Sequence, residues 1–266
     1  MEVKMQDQIK TMLSIFEHGS QTIVYILDQR IKTVGMTILP TELKDLFSLE
    51  RKWNVDSLVQ LKLVGDGYAS DYSQGHIMHG SESSSLLKYD RQEVVEAEGE
   101  RRIETVLQSD RVTAYHVLRL RANVPGLFVE TRIENTSGEI QRLEYLTSFS
   151  LCDLSPVGEE ERIGDLFFYR LTSRWSGEDK LLRQPMLDLH MEPSWSRHGV
   201  NAIRYGQVGS MPVRSYFPWG VVEDEKYGWC MGAQLIIQVH GKWRFGTKTI
   251  RFLLRAGWQI ENSGIF

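Results

Sequence analysis

The densest run of groups able to do chemistry lies between Leu63 and Val94. It reads Gly65-Asp66-Gly67-Tyr68-Ala69-Ser70-Asp71-Tyr72-Ser73-Gln74-Gly75-His76, then His79-Gly80-Ser81-Glu82-Ser83-Ser84-Ser85. A long loop of this composition is costly to order, and such loops serve a binding site or a partner more often than nothing. Composition alone leaves a solvated surface loop as the simpler reading. His76 and His79 stand at a spacing that suits a helical turn, yet they sit in a Gly-rich loop with no Cys or acidic pattern to complete a site. No metal site is expected from them. Carboxylates pair at Asp66 with Asp71 and again in Glu223-Asp224-Glu225. Glycoside hydrolysis needs two carboxyls at a fixed separation on a rigid frame, which adjacent loop acids do not establish. The Glu223 run reads most simply as a solvated turn. Trp175, Trp195, Trp219 and Trp229 offer rings on which a sugar can stack, although packing in a core is the commoner use. The Gly65-Asp66-Gly67 run has no helix pattern behind it, and no GxSxG, P-loop or Cys–His pair occurs. No cofactor and no catalytic residue is assigned.

Strands must position these residues. Thr22 to Ile26 and Ile31 to Thr37 are β-branched runs around the turn-like Asp28-Gln29-Arg30, which predicts an opening hairpin. From Val112 to Val124, Tyr115, Val117, Arg119 and Arg121 fall on one face and His116, Leu118 and Leu120 on the other. Leu127 to Glu134 alternates in the same way, and Asn135-Thr136-Ser137-Gly138 marks a turn. A strand face follows at Leu143, Tyr145, Thr147, Phe149 and Leu151. Further strands are expected at Leu58 to Val64, Leu86 to Val95, Leu166 to Thr172, Asn201 to Tyr205 and Met231 to Ile237. Only Pro40 to Leu49 suggests a short helix. So many strands on one chain predict a large two-sheet sandwich.

With 266 residues the chain can bury a large core. A net charge of -4 gives no reason to expect nucleic acid or an anionic membrane as partner. No apolar run approaches the length of a membrane span, and Met1 to Lys10 has no signal-peptide character. Cys152 and Cys230 are far apart and read as two buried thiols, which fits a reducing, cytoplasmic setting.

Two segments carry a family likeness. Arg214-Ser215-Tyr216-Phe217-Pro218-Trp219-Gly220-Val221-Val222-Glu223-Asp224, followed by Tyr227-Gly228-Trp229-Cys230-Met231-Gly232-Ala233-Gln234-Leu235, resembles a stretch of the N-terminal domain of glycoside hydrolase family 36 α-galactosidases. In that family a Pro-containing strand and an acidic turn lead into a strand reading roughly WGAQL. The stretch from Gly65-Asp66 through Gly75-His76-Ile77-Met78-His79-Gly80-Ser81-Glu82-Ser83 to Lys88-Tyr89-Asp90-Arg91-Gln92-Glu93-Val94 is similar to the family as well. It departs from the family pattern at Ile77, His79 and Ser84-Ser85. The likeness covers roughly Gln21 to Gln238 and implies an all-β fold: one large supersandwich of the galactose mutarotase-like kind. In the family this domain precedes a (β/α)8 barrel that holds both catalytic aspartates, and no barrel sequence is visible here. The resemblance also implies that the loop reaches toward an active site, with Asp71 as the sugar-facing acid by position, Asp66 second, and Tyr68 and His76 as supports.

The same likeness gives an expectation for residues 239–266, which have no sustained alternation. In the family the WGAQL strand continues roughly as GSWQMEI, a variable stretch, DDK and GGLADREFGHF. When each triplet is read from the third base of the preceding codon, permitted codons for Gln238 to Phe245 spell GSWQMEI. Those that follow, through Phe266, spell DDKISLAGGLADREFGHF, and the alanine read across Trp258 and Gln259 is forced. The expected organisation is therefore a supersandwich domain over 1–238 and an out-of-frame tail over 239–266. The expected identity is a truncated, non-catalytic N-terminal domain whose parent enzyme is a retaining α-galactosidase. α-Galactoside sugars and a homo-oligomer or self-association are the partners this implies. A stand-alone carbohydrate-binding module and an oligomerisation domain without ligand are the alternatives.

Overall fold

The computed structural model describes residues 10–46, 55–67, 81–147, 150–152, 166–189, 216–223, 228–234 and 250–256. The first three strands, β1 (Lys10–His18), β2 (Gln21–Asp28) and β3 (Thr33–Pro40), form an antiparallel sheet in that order. The expected opening hairpin is β2 and β3, and β1 adds a strand that the sequence pattern did not disclose. Almost every residue of β2 and β3 is buried, because both faces of this small sheet are covered. Ile23 and Tyr25 face the main core, while Val24 and Ile26 pack with Met12 and Val55 on the opposite side. The helix expected at Pro40 to Leu49 is a single 3-10 segment, Thr41–Leu46.

Nine strands make the large sheet. Four of them are consecutive hairpins: β5 (Lys88–Ala97), β6 (Glu100–Gln108), β7 (Val112–Arg121) and β8 (Leu127–Asn135). The turn between β5 and β6 is only Glu98 and Gly99, both at positive φ (48° and 79°), the conformation a tight two-residue hairpin requires. The alternation read in β7 is realised: Val112, Ala114, His116, Leu118 and Leu120 are buried on the core side, and Tyr115 and Arg119 are half-exposed on the other. The rest of the sheet comprises β10 (Phe167–Arg174), β11 (Gly177–Pro185), β12 (Tyr216–Glu223), β13 (Gly228–Gln234) and β14 (Ile250–Ala256), once β4 (Leu61–Leu63) and β9 (Leu143–Leu146) are set apart as a two-stranded ribbon. The order across the large sheet is β11-β10-β12-β13-β14-β8-β7-β6-β5, and every pairing is antiparallel. β14 belongs to the segment set apart as a tail, yet its backbone pairs on both sides, Leu253 lying opposite Gly232 of β13 and Phe128 of β8. Residues 239–249 and 257–266 lie outside the described residues.

One continuous core joins the layers. Ile23, Tyr25, Val34, Met36 and Ile38 of the small sheet meet Ile103, Leu107, Leu118, Leu120, Leu127 and Val129 of the large one, with Leu61 and Leu63 of the ribbon in the same cluster. The fold is an all-β sandwich, and its sheets do not close into a barrel. On its outer face the large sheet carries ion pairs, among them Arg121 with Glu100 at 2.9 Å and Arg119 with Glu100 at 3.0 Å. The hydrogen bond from Arg121, with help from Arg119, holds the Glu100 carboxyl below its usual range.

Candidate functional site

The described residues hold both ends of the 68–80 segment in a single knot. On one side, β4 runs into a tight turn in which Gly65 has φ +95°, a conformation favouring glycine, and the Asp66 amide donates to the Leu63 carbonyl at 3.1 Å. Asp66 is folded inward, its side chain 1% exposed. One carboxylate oxygen accepts the Leu63 amide at 2.8 Å and the other accepts Arg111 Nη1 at 3.0 Å. Arg111 reaches on to Gln141 through its other nitrogen at 3.0 Å. On the far side, Ser81 caps the short helix α1 (Glu82–Leu86), its hydroxyl accepting the Ser84 amide at 3.1 Å. The Ser81 hydroxyl also donates to the Leu61 carbonyl, and Ser84 Oγ accepts the Leu61 amide at 2.8 Å. The Glu82 amide closes the knot on the Gly67 carbonyl at 2.9 Å. The serine run that reads as loop composition is thus a buried clamp.

Of the four expected sugar-binding residues, only Asp66 lies among the described residues. Its carboxylate is committed to a backbone amide and a guanidinium, so its role in the structure is to anchor the turn. Tyr68, Asp71 and His76 lie outside the described residues, as does His79. Arg111 and Gln141 were not foreseen as partners of this loop. Arg111 sits in an ordinary strand-connecting turn, and nothing local in the sequence points from there to Asp66. Among the tryptophans, Trp175 is 79% exposed at the tip of the β10–β11 hairpin, where Ser176 takes φ +57°. Trp219 lies in β12 and Trp229 in β13, and Trp195 is outside the described residues.

Glu223 is not part of a solvated turn. It ends β12 half-buried, and its carboxylate accepts the Tyr169 hydroxyl, which in turn accepts Arg183 Nε at 2.7 Å. Burial, then the Glu223 carboxylate, raise the Tyr169 phenol above its usual range. A different polar group lies in the core. His116 is fully buried on β7, opposite Thr105 of β6 and Thr131 of β8, and among the described residues neither ring nitrogen has a hydrogen-bond partner. Burial lowers its pKa from 6.5 to about 4, so the ring is neutral at pH 7. Among the described residues no group of three or more His, Cys, Asp or Glu side chains is placed to hold a metal ion.

Comparison with solved structures places this architecture. A doubly substituted form of the GH36 α-galactosidase AgaA from Geobacillus stearothermophilus, in complex with raffinose, superposes with a TM-score of 0.54 at 15% identity. The match covers 94% of this chain and 41% of that one. AgaA itself gives a TM-score of 0.52 at 12% identity over the same shares of the two chains. The chain has the fold of a GH36 α-galactosidase segment. This GH36-like sandwich spans about two-fifths of the length of the enzymes it matches. No protein-family model matches the chain, and no curated protein matches it. Among the described residues of the GH36-like sandwich, no helix is long and apolar enough to cross a membrane.

Proposed function

We propose that the chain is the non-catalytic N-terminal sandwich of a family 36 α-galactosidase, with 1–238 as the domain proper and 239–266 read out of frame, its segment 250–256 occupying a strand position in the sheet. The observation that carries this reading is the match of nearly the whole chain to two-fifths of an α-galactosidase, in a fold that the WGAQL-like strand and the 65–94 motif had already indicated. The parent enzyme would hydrolyse terminal α-galactosides with retention, using two carboxylates on a frame that this sandwich does not contribute. The role left to the sandwich is to anchor the chain on either side of residues 68–80. The knot of Asp66, Arg111, Ser81 and Ser84 supports that role, since it ties Gly67 to Glu82 and fixes both flanks to the core.

The experiment has two arms. Purified chain should show no turnover of a chromogenic α-galactoside. When the barrel-encoding frame is restored downstream of residue 238, activity should appear, and Asp71→Ala should lower kcat/KM without unfolding the protein. Turnover by the present chain that is abolished in Asp71→Ala would refute the non-catalytic reading. An unchanged kcat/KM in the restored enzyme would remove Asp71 from the site.

A further inference from the structure

Beside the clamp lies an open cleft of about 690 Å³. Three connections meet around it: the turn after β4 with Val64, the β6–β7 turn with Asp110 and Arg111, and the loop after β8 with Glu139, Ile140 and Arg142. Its walls are fixed to one another by backbone and side-chain hydrogen bonds. The Val64 amide donates to the Arg142 carbonyl at 2.8 Å, the Thr136 amide to the Arg111 carbonyl at 3.1 Å, and Gln141 Nε2 to Ser137 Oγ at 2.9 Å. Asn135 closes the loop on itself by donating to the Glu139 carbonyl at 2.6 Å. The cleft is therefore built before any ligand arrives, which lowers the ordering cost of binding.

Its lining selects a ligand by charge and by hydrogen-bond sense. Arg111 is occupied by Asp66 and Gln141, whereas the side chains of Asp110, Glu139 and Arg142 carry no hydrogen bond or ion pair among the described residues. Two free carboxylates oppose an anion, and the uncommitted guanidinium of Arg142 among them opposes a cation. An apolar ligand would strip water from all three charges without replacing it. A neutral molecule that donates to carboxylates and accepts from a guanidinium satisfies them together, and a sugar hydroxyl does both. Ile140 and Val64, 80% and 57% exposed, supply aliphatic surface for the C–H face of a pyranose. The volume falls within the range of small-ligand sites.

We infer that this cleft is a carbohydrate site of its own, which takes a neutral oligosaccharide through Asp110, Glu139 and Arg142. The test is calorimetric or NMR titration of the full chain with raffinose and, separately, with maltotriose. Saturable binding of at least one of them is expected. Asp110→Asn with Glu139→Gln should weaken it about tenfold or more, since each change turns a charge-assisted hydrogen bond into a neutral one. Arg142→Ala should do the same, and Ile140→Ser should weaken it less. All four side chains are at the cleft surface, so each variant should keep the parent thermal midpoint, and that is measured in parallel. Failure of the restored enzyme to respond to Asp71→Ala would leave the cleft untouched. Absence of saturable binding of both sugars, or binding that is equal in the cleft variants and the parent, overturns the inference.

Discussion

Protonating His116 should destabilise this protein at a pH above the range in which carboxylates titrate in bulk. In the folded chain the imidazole is buried between Thr105 and Thr131, in the layer that also holds Tyr25, and its pKa stands near 4. In the unfolded chain it returns to about 6.5. Below pH 6.5 the unfolded state therefore takes up a proton that the folded state refuses. The stability present above pH 6.5 is lost progressively as pH falls toward 4 and changes no further, through this group, below that. At about 1.4 kcal/mol for each tenfold difference in proton affinity, the whole displacement amounts to about 3 kcal/mol. About two-fifths of that loss falls between pH 7.5 and 5.5, before most carboxylates respond. Urea unfolding followed by tryptophan fluorescence at pH 7.5, 6.5 and 5.5 measures it directly. His116→Leu, a buried apolar replacement, should be nearly flat over this window while the parent loses about 1.3 kcal/mol. Parallel losses in the two proteins would refute the reasoning, because the proton would then be binding elsewhere.

Three further outcomes are expected. Asp66→Ala removes both the Leu63 amide acceptor and the buried partner of Arg111, and should cost about 2–3 kcal/mol in denaturant unfolding, with Asp66→Asn recovering part of it. Gly35→Ala should destabilise by about 1–3 kcal/mol, because a Cβ there would sit 2.7 Å from the Asp56 carbonyl oxygen and 2.8 Å from Cys152 Sγ; an unchanged thermal midpoint would contradict that packing. Leu253→Pro should cost about 3 kcal/mol or more if β14 is paired on both sides, whereas tolerance of the proline would favour 239–266 as a passive tail.

What the sequence disclosed follows from how far each signal reaches. Strands buried on one face announced themselves by alternation, as β7 and β8 did. β2 and β3 were visible as β-branched runs because both of their faces are covered. β6 and β11 were not recognised: GEDKLLRQP and ERRIETVLQ are rich in charges that lie on the outer face or along an edge, where the hydrophobic contrast that marks a strand is weak. Among the described residues, the expected strand from Leu143 to Leu151 is Leu143–Leu146, paired with the short β4. At the candidate site, the support around residues 68–80 could not be read from composition. Asp66 meets Arg111 and Gln141 only through tertiary structure, and Ser81 and Ser84 look like linker residues until α1 is seen over the Leu61 backbone. The cleft at Asp110, Glu139 and Arg142 is drawn from three separate turns, none of which has a motif of its own.

The position of β14 bears on how the chain reaches this fold. From β5 to β8 each strand pairs with the next along the chain, so those contacts are local and can form early. With β2 and β3 beneath them, they have most of the apolar cluster already in hand. The strands β10 to β13 make a second group of near neighbours. The two groups meet in one sheet only where Ile250–Ala256 slots between Gly228–Gln234 and Leu127–Asn135, the pairing that closes the longest span of chain. Such a closure carries the largest loop entropy and belongs late in folding. On a ribosome the first group can be complete while the second is still being made, and β8 then waits with an open edge until the last-made strand covers it. The slowest and most aggregation-exposed phase of this protein should therefore be the docking of one half-sheet onto another, set by a single strand.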